Sequence, residues 1–315
     1  MTVKIVTDST ADLPALLAQE LGITVVPVYV RFGQKVYRDR VDISETEFYQ
    51  KLVESPVHPT TSQPSPADFA DVYKKLSREA DEIVSIQVTS KLSGTYNSAL
   101  QGRELAEMGH PIEVVDSLSI SMGLGLIAIT AAKAAMAGES LQAIMEEIRQ
   151  CIPRIRLLAV FDTLKYLLLG GRIGKAKALL GSVLNVKPLI TMREGELLPA
   201  GQVRTRNKGI DRLFDLVKNA LNIQELAIVY STTPDEAGSL KERVASIFDR
   251  KRIHIARLGP ALGVHAGPGT LLLALREKVS GIGQEAGEEE PSGKRISLPS
   301  LHVPKLSFSC PRLFA

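Results

Sequence analysis

The sequence predicts an α/β protein with two domains: an N-terminal parallel sheet with helices on both faces, and a smaller C-terminal α/β domain with a mixed sheet. Three observations support this prediction. The chain of 315 residues is long enough for about two domains of roughly 150 residues each. Short apolar runs alternate with helical patterns over the first half, and this alternation changes after about residue 156. The apolar runs are almost continuous, which is typical of strands buried on both faces of a parallel sheet.

In the first half, strands and helices alternate up to the fourth predicted strand. The predicted segments are, in order, VKIVTDS (strand), ADLPALLAQELG (helix), ITVVPVYVRFG (strand), SPADFADVYKKLSRE (helix), EIVSIQVTS (strand), SGTYNSALQGRELAEMG (helix), PIEVVDS (strand), ISMGLGLIAITAAKAAMAG (helix) and SLQAIMEEIRQCIPRI (helix). Ser65, with Asp68 three residues later, is typical of a helix N-cap. The Ala-rich segment 120–138 contains Lys133, so it favours a buried helix over a membrane span.

The second half predicts a mixed sheet with helices between the strands. Its predicted strands are RLLAVFDTL, VKPLITMREGELLPAGQVR with a hairpin turn at REGE, ELAIVYSTT and RIHIARLGP; its predicted helices are GIDRLFDLVKNAL, TPDEAGSLKERVASIFD and GTLLLALREK. From about residue 280 an acidic run with Gly, Pro and Ser predicts an irregular or disordered tail without a core. The predicted domains are therefore residues 1–155 and 156–279, followed by the tail 280–315.

Composition and missing motifs exclude several function classes. The formal net charge is +3 with 23% charged residues, which gives no reason to expect a nucleic-acid partner. Cys151 and Cys310 are far apart, so we expect neither a disulfide framework nor a zinc site, and a reducing cytosol fits. The N-terminus lacks a basic segment before a long apolar run, and we expect no signal peptide. The P-loop, G-x-G-x-x-G, G-x-S-x-G and H-E-x-x-H patterns are absent from the sequence.

Hydroxyl side chains gather where the predicted strands of the first half end. TDST follows the first strand, SKLSGTY the third and DSLSISMG the fourth, while TTSQPSP is predicted as a loop before the second helix. Ligands of open parallel sheets bind beyond the carboxyl ends of the strands, so these loops predict a site at one edge. Ser and Thr at such positions ordinarily cap helices, which is our interpretation of Ser9 and Thr10. For Thr61, Ser62 and Ser93, capping and ligand binding both remain open.

Glycine-rich segments contribute a histidine and several basic residues. GPALGVHAGPGTLLLAL contains four glycines and two prolines around His265, and it predicts a rigid loop that precedes a helix. His265 is either structural or a ligand contact. Arg172 follows a Gly-Gly pair, and Arg204 and Arg206 lie further along the chain. These cations indicate either a contact with phosphate or an acidic partner, or a solvated helix face.

Eight segments, taken in order, resemble the signature segments of one protein family. They are VTDSTADLP, PTTSQPSP, SKLSGTYNSA, DSLSISMGLGL, TLKYLLLGGRI, KPLITMREGEL, VRTR and GPALGVHAGPGT. Over about residues 3–278 the chain resembles the DegV family of bacterial fatty-acid-binding proteins, which includes the fatty-acid-carrying subunit of fatty acid kinase. The tail after residue 280 matches nothing in that family.

The resemblance implies a cytoplasmic protein of phospholipid metabolism that holds a long-chain fatty acid between two domains. It implies no catalytic residue, no metal, no cofactor beyond the bound fatty acid, no nucleic acid and no stable membrane insertion. The residues that it implies for the carboxylate are Thr61, Ser62, Ser93, Gly94 and His265. The segments PVYVRFG and TLKYLLLGG correspond to part of the apolar lining.

The resemblance also implies a partner, an ATP-dependent kinase subunit that phosphorylates the presented carboxylate. Arg172 and either Arg204 or Arg206 correspond to basic residues that face this kinase. Two alternatives remain open: a lipid-binding regulator or transporter that acts alone, and an esterase in which Ser93, His265 and Asp8 form a triad.

Overall fold

The computed structural model describes residues 2–181 and 186–278. Its strands are β1 (Val3–Asp8), β2 (Ile23–Val26), β3 (Tyr29–Phe32), β4 (Lys35–Arg38), β5 (Thr60–Ser62), β6 (Glu82–Gln87), β7 (Ile112–Asp116), β8 (Ile155–Val160), β9 (Lys187–Arg193), β10 (Glu196–Val203), β11 (Ile223–Tyr230), β12 (Ile253–Arg257) and β13 (Leu271–Glu277). Its α-helices are α1 (Ala15–Glu20), α2 (Glu45–Glu54), α3 (Pro66–Leu76), α4 (Thr95–Ala106), α5 (Ser121–Met136), α6 (Leu141–Cys151), α7 (Lys165–Leu169), α8 (Arg206–Asn219), α9 (Pro234–Ala245) and α10 (Pro260–Ala266).

The predicted parallel sheet is confirmed. Four parallel strands are arranged in the order β2-β1-β6-β7. Successive side chains of a strand point to opposite faces, and β1 shows this directly. Ile5 belongs to the core that contains Leu126 of α5, whereas Val6 belongs to the core that contains Phe69 of α3 and Ala99 of α4. Helices therefore cover both faces, and the edge at the carboxyl ends of the strands is left for loops.

The predicted second strand is wrong in extent. It was expected to run through ITVVPVYVRFG, but β2 ends before Pro27, which has no N–H group to donate to a sheet. The chain then enters a separate antiparallel sheet of order β4-β3-β5. The stretch at residues 60–62, predicted as a loop, is the strand β5 of that sheet, where Thr61 pairs with Val30. Side chains of this small sheet pack against Ala261 and Val264 of α10.

The mixed sheet of the second half is confirmed, with one element corrected. Its order is β10-β9-β8-β13-β11-β12, and of these neighbouring pairs only β11 and β12 run parallel. The hairpin predicted at REGE connects β9 and β10. The segment GTLLLALREK is not a helix but the central strand β13. Leu271 to Leu275 are all buried, so the strand lacks the alternation that distinguishes it from a buried helix.

The glycine-rich segment is also corrected. It does not precede a helix: residues 260–266 are themselves the helix α10, and His265 lies in its last turn. The predicted helix at residues 120–138 is confirmed as α5, whose residues 121–132 are all buried. Of the helices in the described residues, none is long and apolar enough to cross a bilayer.

The four-stranded and six-stranded sheets occupy separate parts of the chain. The strands of the first lie within residues 3–116 and those of the second within residues 155–277. The domain boundary at residues 155/156 stays a prediction, because residues 1–279 form one compact unit by their contacts. The predicted tail 280–315 lies outside the described residues.

α3 packs closely on α4, with the first turn of α3 against Gly102 of α4. The predicted N-cap of α3 is confirmed, since Ser65 and Asp68 form a complete capping box. Gly102 of α4 allows the close approach. A Cβ atom at this position would lie 2.5 Å from the Cβ of Phe69 and 2.8 Å from the carbonyl oxygen of Pro66.

We expect Gly102→Ala to lower the free energy of unfolding by about 1–3 kcal/mol, because the added methyl group overpacks the helix contact. Urea denaturation measures this change. Gly109→Ala is the matched control, because a Cβ at Gly109 would meet no atom within 4 Å. A Gly102→Ala variant as stable as the wild type would contradict this account of how the two helices are placed.

Candidate functional site

One cavity lies at the predicted edge of the parallel sheet. It encloses about 860 Å³ of space between atoms, including the part that is open to solvent. The apolar residues of its wall are Val28, Val88, Leu92, Ile120, Phe161, Leu167, Leu197, Leu258, Ala261, Leu262, Ala266 and Leu272.

The structure brings most of the predicted site residues to this cavity. Thr61, Ser62, Ser93, Arg172 and His265 all line it. Gln63 lines it too and contacts the predicted donor glycine: a Cβ on Gly94 would lie 2.8 Å from Nε2 of Gln63. Segments that are distant in sequence therefore converge on one site, although each residue's role in binding a carboxylate stays a prediction.

Thr61 is placed by β5 and not by a helix cap. The pairing of β5 with β3 directs the Thr61 hydroxyl to the imidazole of His265, with 3.0 Å between Oγ1 and Nε2. This contact joins residues 204 positions apart. The Thr61 hydroxyl caps no described helix, so the interpretation of Thr61 as a helix cap is weakened.

Ser93 has a partly structural role. Its Oγ accepts a hydrogen bond from the N–H of Thr95 (3.3 Å) and lies 2.8 Å from the Thr95 hydroxyl, at the first turn of α4. Gly94, the N-cap residue, donates its N–H to no acceptor among the described residues. Ser93 thus shapes the start of the helix, and the adjacent N–H remains available to a ligand.

His265 is held close to backbone and is neutral at physiological pH. A Cβ on Gly170 would overlap the imidazole ring, so only glycine allows this approach. Burial lowers the pKa of His265 to about 4, with further contributions from the positive charges of Arg172 and His58. A neutral imidazole donates one hydrogen bond and supplies no counter-charge.

The three predicted cations are placed differently. Arg172 is exposed at the cavity and donates to the carbonyl oxygens of Leu92 (3.3 Å) and Gly170 (3.0 Å). Arg206 does not line the cavity and forms a bidentate pair with Glu236, with a shortest distance of 2.6 Å. Arg204 does not line it either; it is exposed and forms no ion pair with any residue that the structure describes.

Three hydroxyl residues of the cavity wall direct their hydrogen bonds into the protein. Thr10 donates to Asp8 (2.5 Å), Ser121 to Asp12 (2.6 Å), and Thr270 to the carbonyl oxygen of Ala266 (2.9 Å). Their polar atoms are satisfied, so they do not interrupt the apolar surface. The hydroxyl-rich loops after β1 and β7 therefore lie at the predicted edge, but their Thr10 and Ser121 hydroxyls donate to protein carboxylates and form part of the cavity wall.

The esterase triad considered from the sequence is not formed. The Asp8 carboxylate accepts hydrogen bonds from Thr10 and from the N–H of Val88, not from His265. Nε2 of His265 lies against Thr61. Within the described residues, no group of His, Cys, Asp or Glu is arranged to hold a metal ion.

Sequence reasoning identified only part of the lining. From PVYVRFG only Val28 lines the cavity, and from TLKYLLLGG only Leu167 does. Gly170 of the latter segment lies against the His265 ring. Gln63 was missed, although it directly follows the two hydroxyl residues of TTSQ. Leu262 was missed because α10 was interpreted as a loop. Leu258 was missed because it lies at the end of the predicted strand RIHIARLGP, just before α10.

Comparison with known proteins identifies the family. A model of the DegV family, described as uncharacterised proteins, matches residues 2–278. The chain belongs to the DegV family. A DegV domain-containing protein of Caldanaerobacter subterraneus subsp. tengcongensis is 36% identical over 279 residues, which cover 88% of this chain and 99% of that protein.

Solved DegV structures share the fold. A DegV family protein from Thermus thermophilus, described as binding fatty acid, is 36% identical with a TM-score of 0.82, over 88% of this chain and 100% of that one. The DegV fatty-acid-binding protein of Bacillus subtilis is 27% identical with a TM-score of 0.79, over 88% and 100% of the two chains. A stearic-acid-binding protein from Eubacterium ventriosum is 29% identical with a TM-score of 0.79, over 87% and 98%.

We expect His265 of this DegV protein to titrate with a pKa of about 4 in the ligand-free state, below its ordinary value of 6.5. Because the folded-state pKa is lowered, the unfolded chain binds this proton first, and His265 opposes folding as the pH falls from 6.5 towards 4. Imidazole NMR signals recorded between pH 8 and 3.5 measure the pKa, with His265→Asn to assign the resonance. A value of 6 or above would contradict the burial of the ring.

Proposed function

We propose that the protein binds a long-chain fatty acid in this cavity, with the carboxylate at Thr61, Ser62, Ser93, Gly94 and His265. The observation that carries the proposal is one cavity with apolar walls and a cluster of neutral hydrogen-bond donors from distant segments. The fatty-acid binding described for similar DegV proteins from Thermus thermophilus and Bacillus subtilis supports it.

The acyl chain dominates the affinity. Burial of about fifteen methylene groups contributes on the order of 12 kcal/mol gross, at about 0.8 kcal/mol each. A hydrogen bond to a charged group contributes only about 1.5–3 kcal/mol. The polar cluster therefore decides which end of the ligand lies at Thr61 and His265, rather than whether an oily ligand binds.

The head-group donors are neutral, which suits a carrier. Hydroxyl groups, a backbone N–H and an uncharged imidazole can satisfy a carboxylate without a buried ion pair. Arg172 is an exposed cation in the cavity lining, and it donates to the backbone carbonyl oxygens of Leu92 and Gly170. A carboxylate held in this way stays accessible for phosphoryl transfer.

In this proposal a separate kinase subunit transfers the phosphoryl group from ATP to the bound carboxylate; this chain itself carries no P-loop. Arg172 and Arg204 are the candidates that face this partner, because both are exposed. Arg206 is a weaker candidate than the sequence implied, because Glu236 and Asp162 already occupy its guanidinium. A regulator or transporter without a kinase is the alternative function, and the partner experiment below distinguishes the two.

We expect Thr61→Ala and Ser93→Ala each to weaken fatty-acid binding by roughly 1–3 kcal/mol, the contribution of one hydrogen bond to a charged group. Isothermal titration with palmitate or oleate measures the loss, and mass spectrometry of an organic extract identifies the acid that co-purifies. Thr60→Ala is the matched control, because Thr60 is exposed and does not line the cavity. If neither an extract nor a titration shows fatty acid, the proposal fails.

Charge reversal should separate partner contact from ligand binding. We expect Arg172→Glu and Arg204→Glu to reduce acyl phosphate formation by a cognate kinase at least about tenfold, since each reversal opposes an acidic partner surface. Fatty-acid affinity should change less than about twofold for Arg204→Glu, which is outside the cavity. Lys208→Glu is the control, because Lys208 is an exposed cation in the first turn of α8. Equal losses in all three variants, or no kinase-dependent product with the wild type, would favour the regulator.

A further inference from the structure

The segment TDSTAD at residues 7–12 is not used by the proposed carboxylate site, yet it ends in a fully buried acid. Asp12 is 0% exposed and accepts three hydrogen bonds from three separate elements. The donors are Nη2 of Arg40 (2.9 Å), Oγ of Ser121 (2.6 Å) and the N–H of Gly259 (2.8 Å). Gly259 is the N-cap residue of α10. One carboxylate therefore connects the loop after β1 with α5 and α10.

Arg40 extends this connection. Its guanidinium also donates to the carbonyl oxygens of Leu13 (3.1 Å) and Arg257 (2.6 Å), and it pairs with Glu45 at 3.3 Å. A Cβ on Gly259 would lie 2.8 Å from Nε of Arg40, so the guanidinium rests on the backbone at the start of α10. Arg257 ends β12, so Arg40 contacts both the end of the strand before α10 and the N-cap residue of that helix.

The same residues adopt an uncommon backbone conformation. The φ angles are 53° at Asp12, 62° at Arg40 and 50° at Ser121. Residues other than glycine rarely occupy this left-handed region, which costs free energy unless surrounding contacts hold it. All three belong to the network around the Asp12 carboxylate, so the network is the contact that maintains them.

The helix transmits this constraint to the cavity. α10 has seven residues and is roughly 10 Å long, so its first turn and its last move together. Its first turn is held by Asp12 and Arg40, and its last turn carries His265 against Thr61. Tyr49 adds a hydrogen bond to the carbonyl oxygen of Leu258 (3.1 Å), just before the helix.

We propose that Asp12 and Arg40 are positioning residues: they fix the start of α10 and thereby hold the His265 imidazole against Thr61 at the polar end of the cavity. The ligand in this inference rests on the proposed function, whereas the placement of His265 does not. Neither residue lines the cavity, so both act through the helix.

The test compares Asp12→Asn and Arg40→Lys with a matched control, Glu225→Gln, at pH 8. Glu225 is a buried acid paired with Lys133 and lies outside the cavity. Two quantities are measured: the imidazole NMR signals of His265 in the ligand-free full chain, and the dissociation rate of a fluorescent fatty acid chased with albumin.

We expect both network variants to shift the His265 signals and to raise the dissociation rate on the order of tenfold, the effect of one lost charged hydrogen bond. Glu225→Gln should destabilise the protein to urea but leave the His265 signals in place and the rate within about twofold. Unchanged His265 signals in both variants, or a rate that rises equally in the control, would overturn the proposal. If Asp12→Asn does not fold, Arg40→Lys decides, because it keeps the charge beside Asp12.

The two readouts also separate the two proposals. A wild-type protein that binds no fatty acid removes the proposed function, while the His265 spectra of the ligand-free variants still decide whether Asp12 and Arg40 position the ring.

Discussion

The cavity depends on one physical constraint: every polar group in an apolar wall must be satisfied by the protein itself. An unsatisfied hydroxyl in such a wall costs about 1–3 kcal/mol and attracts water into the apolar cavity. Thr10 and Ser121 meet the constraint by donating to carboxylates behind the wall, Asp8 and Asp12.

These acceptors are themselves buried acids. Burial raises the pKa of both, that of Asp12 to about 6, so keeping them ionised costs free energy. Arg40 and the backbone N–H groups of Val88 and Gly259 offset that cost.

The charged groups of Asp8, Asp12 and Arg40 therefore lie behind the cavity wall, whereas the residues proposed to bind the carboxylate are neutral. Asp12 is buried, its partner Arg40 is partly buried, and together they bond to several segments. An ion pair taken out of water in this way adds little stability, and its effect here is to fix an arrangement. Around Thr61 the opposite holds, because His265 is neutral and the other donors are hydroxyl and backbone groups. A ligand carboxylate that bound there would exchange hydrogen bonds to water for hydrogen bonds to neutral donors. Its dissociation would not require the separation of a buried ion pair.

The sequence predicted what depends on repeated local pattern. The parallel sheet followed from apolar runs, and the convergence of hydroxyl residues at its edge followed from the geometry of parallel strands. The failures have a common cause, since each concerns a segment whose state is decided by distant partners. β13 is buried on both faces and so carries no alternation. β5 has three residues and is a strand only because β3 lies beside it. α10 contains the glycines that usually mark a loop, but Gly263 is required by packing: a Cβ there would lie 2.5 Å from Cε1 of Phe48.

The same reasoning explains why the role of Asp12 could not be found from the sequence. An Asp that ends a short turn after a strand is ordinarily a cap, and nothing nearby distinguishes this one. Its partners lie 28, 109 and 247 positions away. Asp12 differs from Asp8 in the segments to which its hydrogen-bond partners belong. Asp8 joins only the loops after β1 and β6, which belong to one sheet. Asp12 reaches α10, whose other end carries the ring that contacts Thr61. Under the proposal above, the wall behind the cavity therefore controls the site through α10, while the residues that line the cavity act by direct contact.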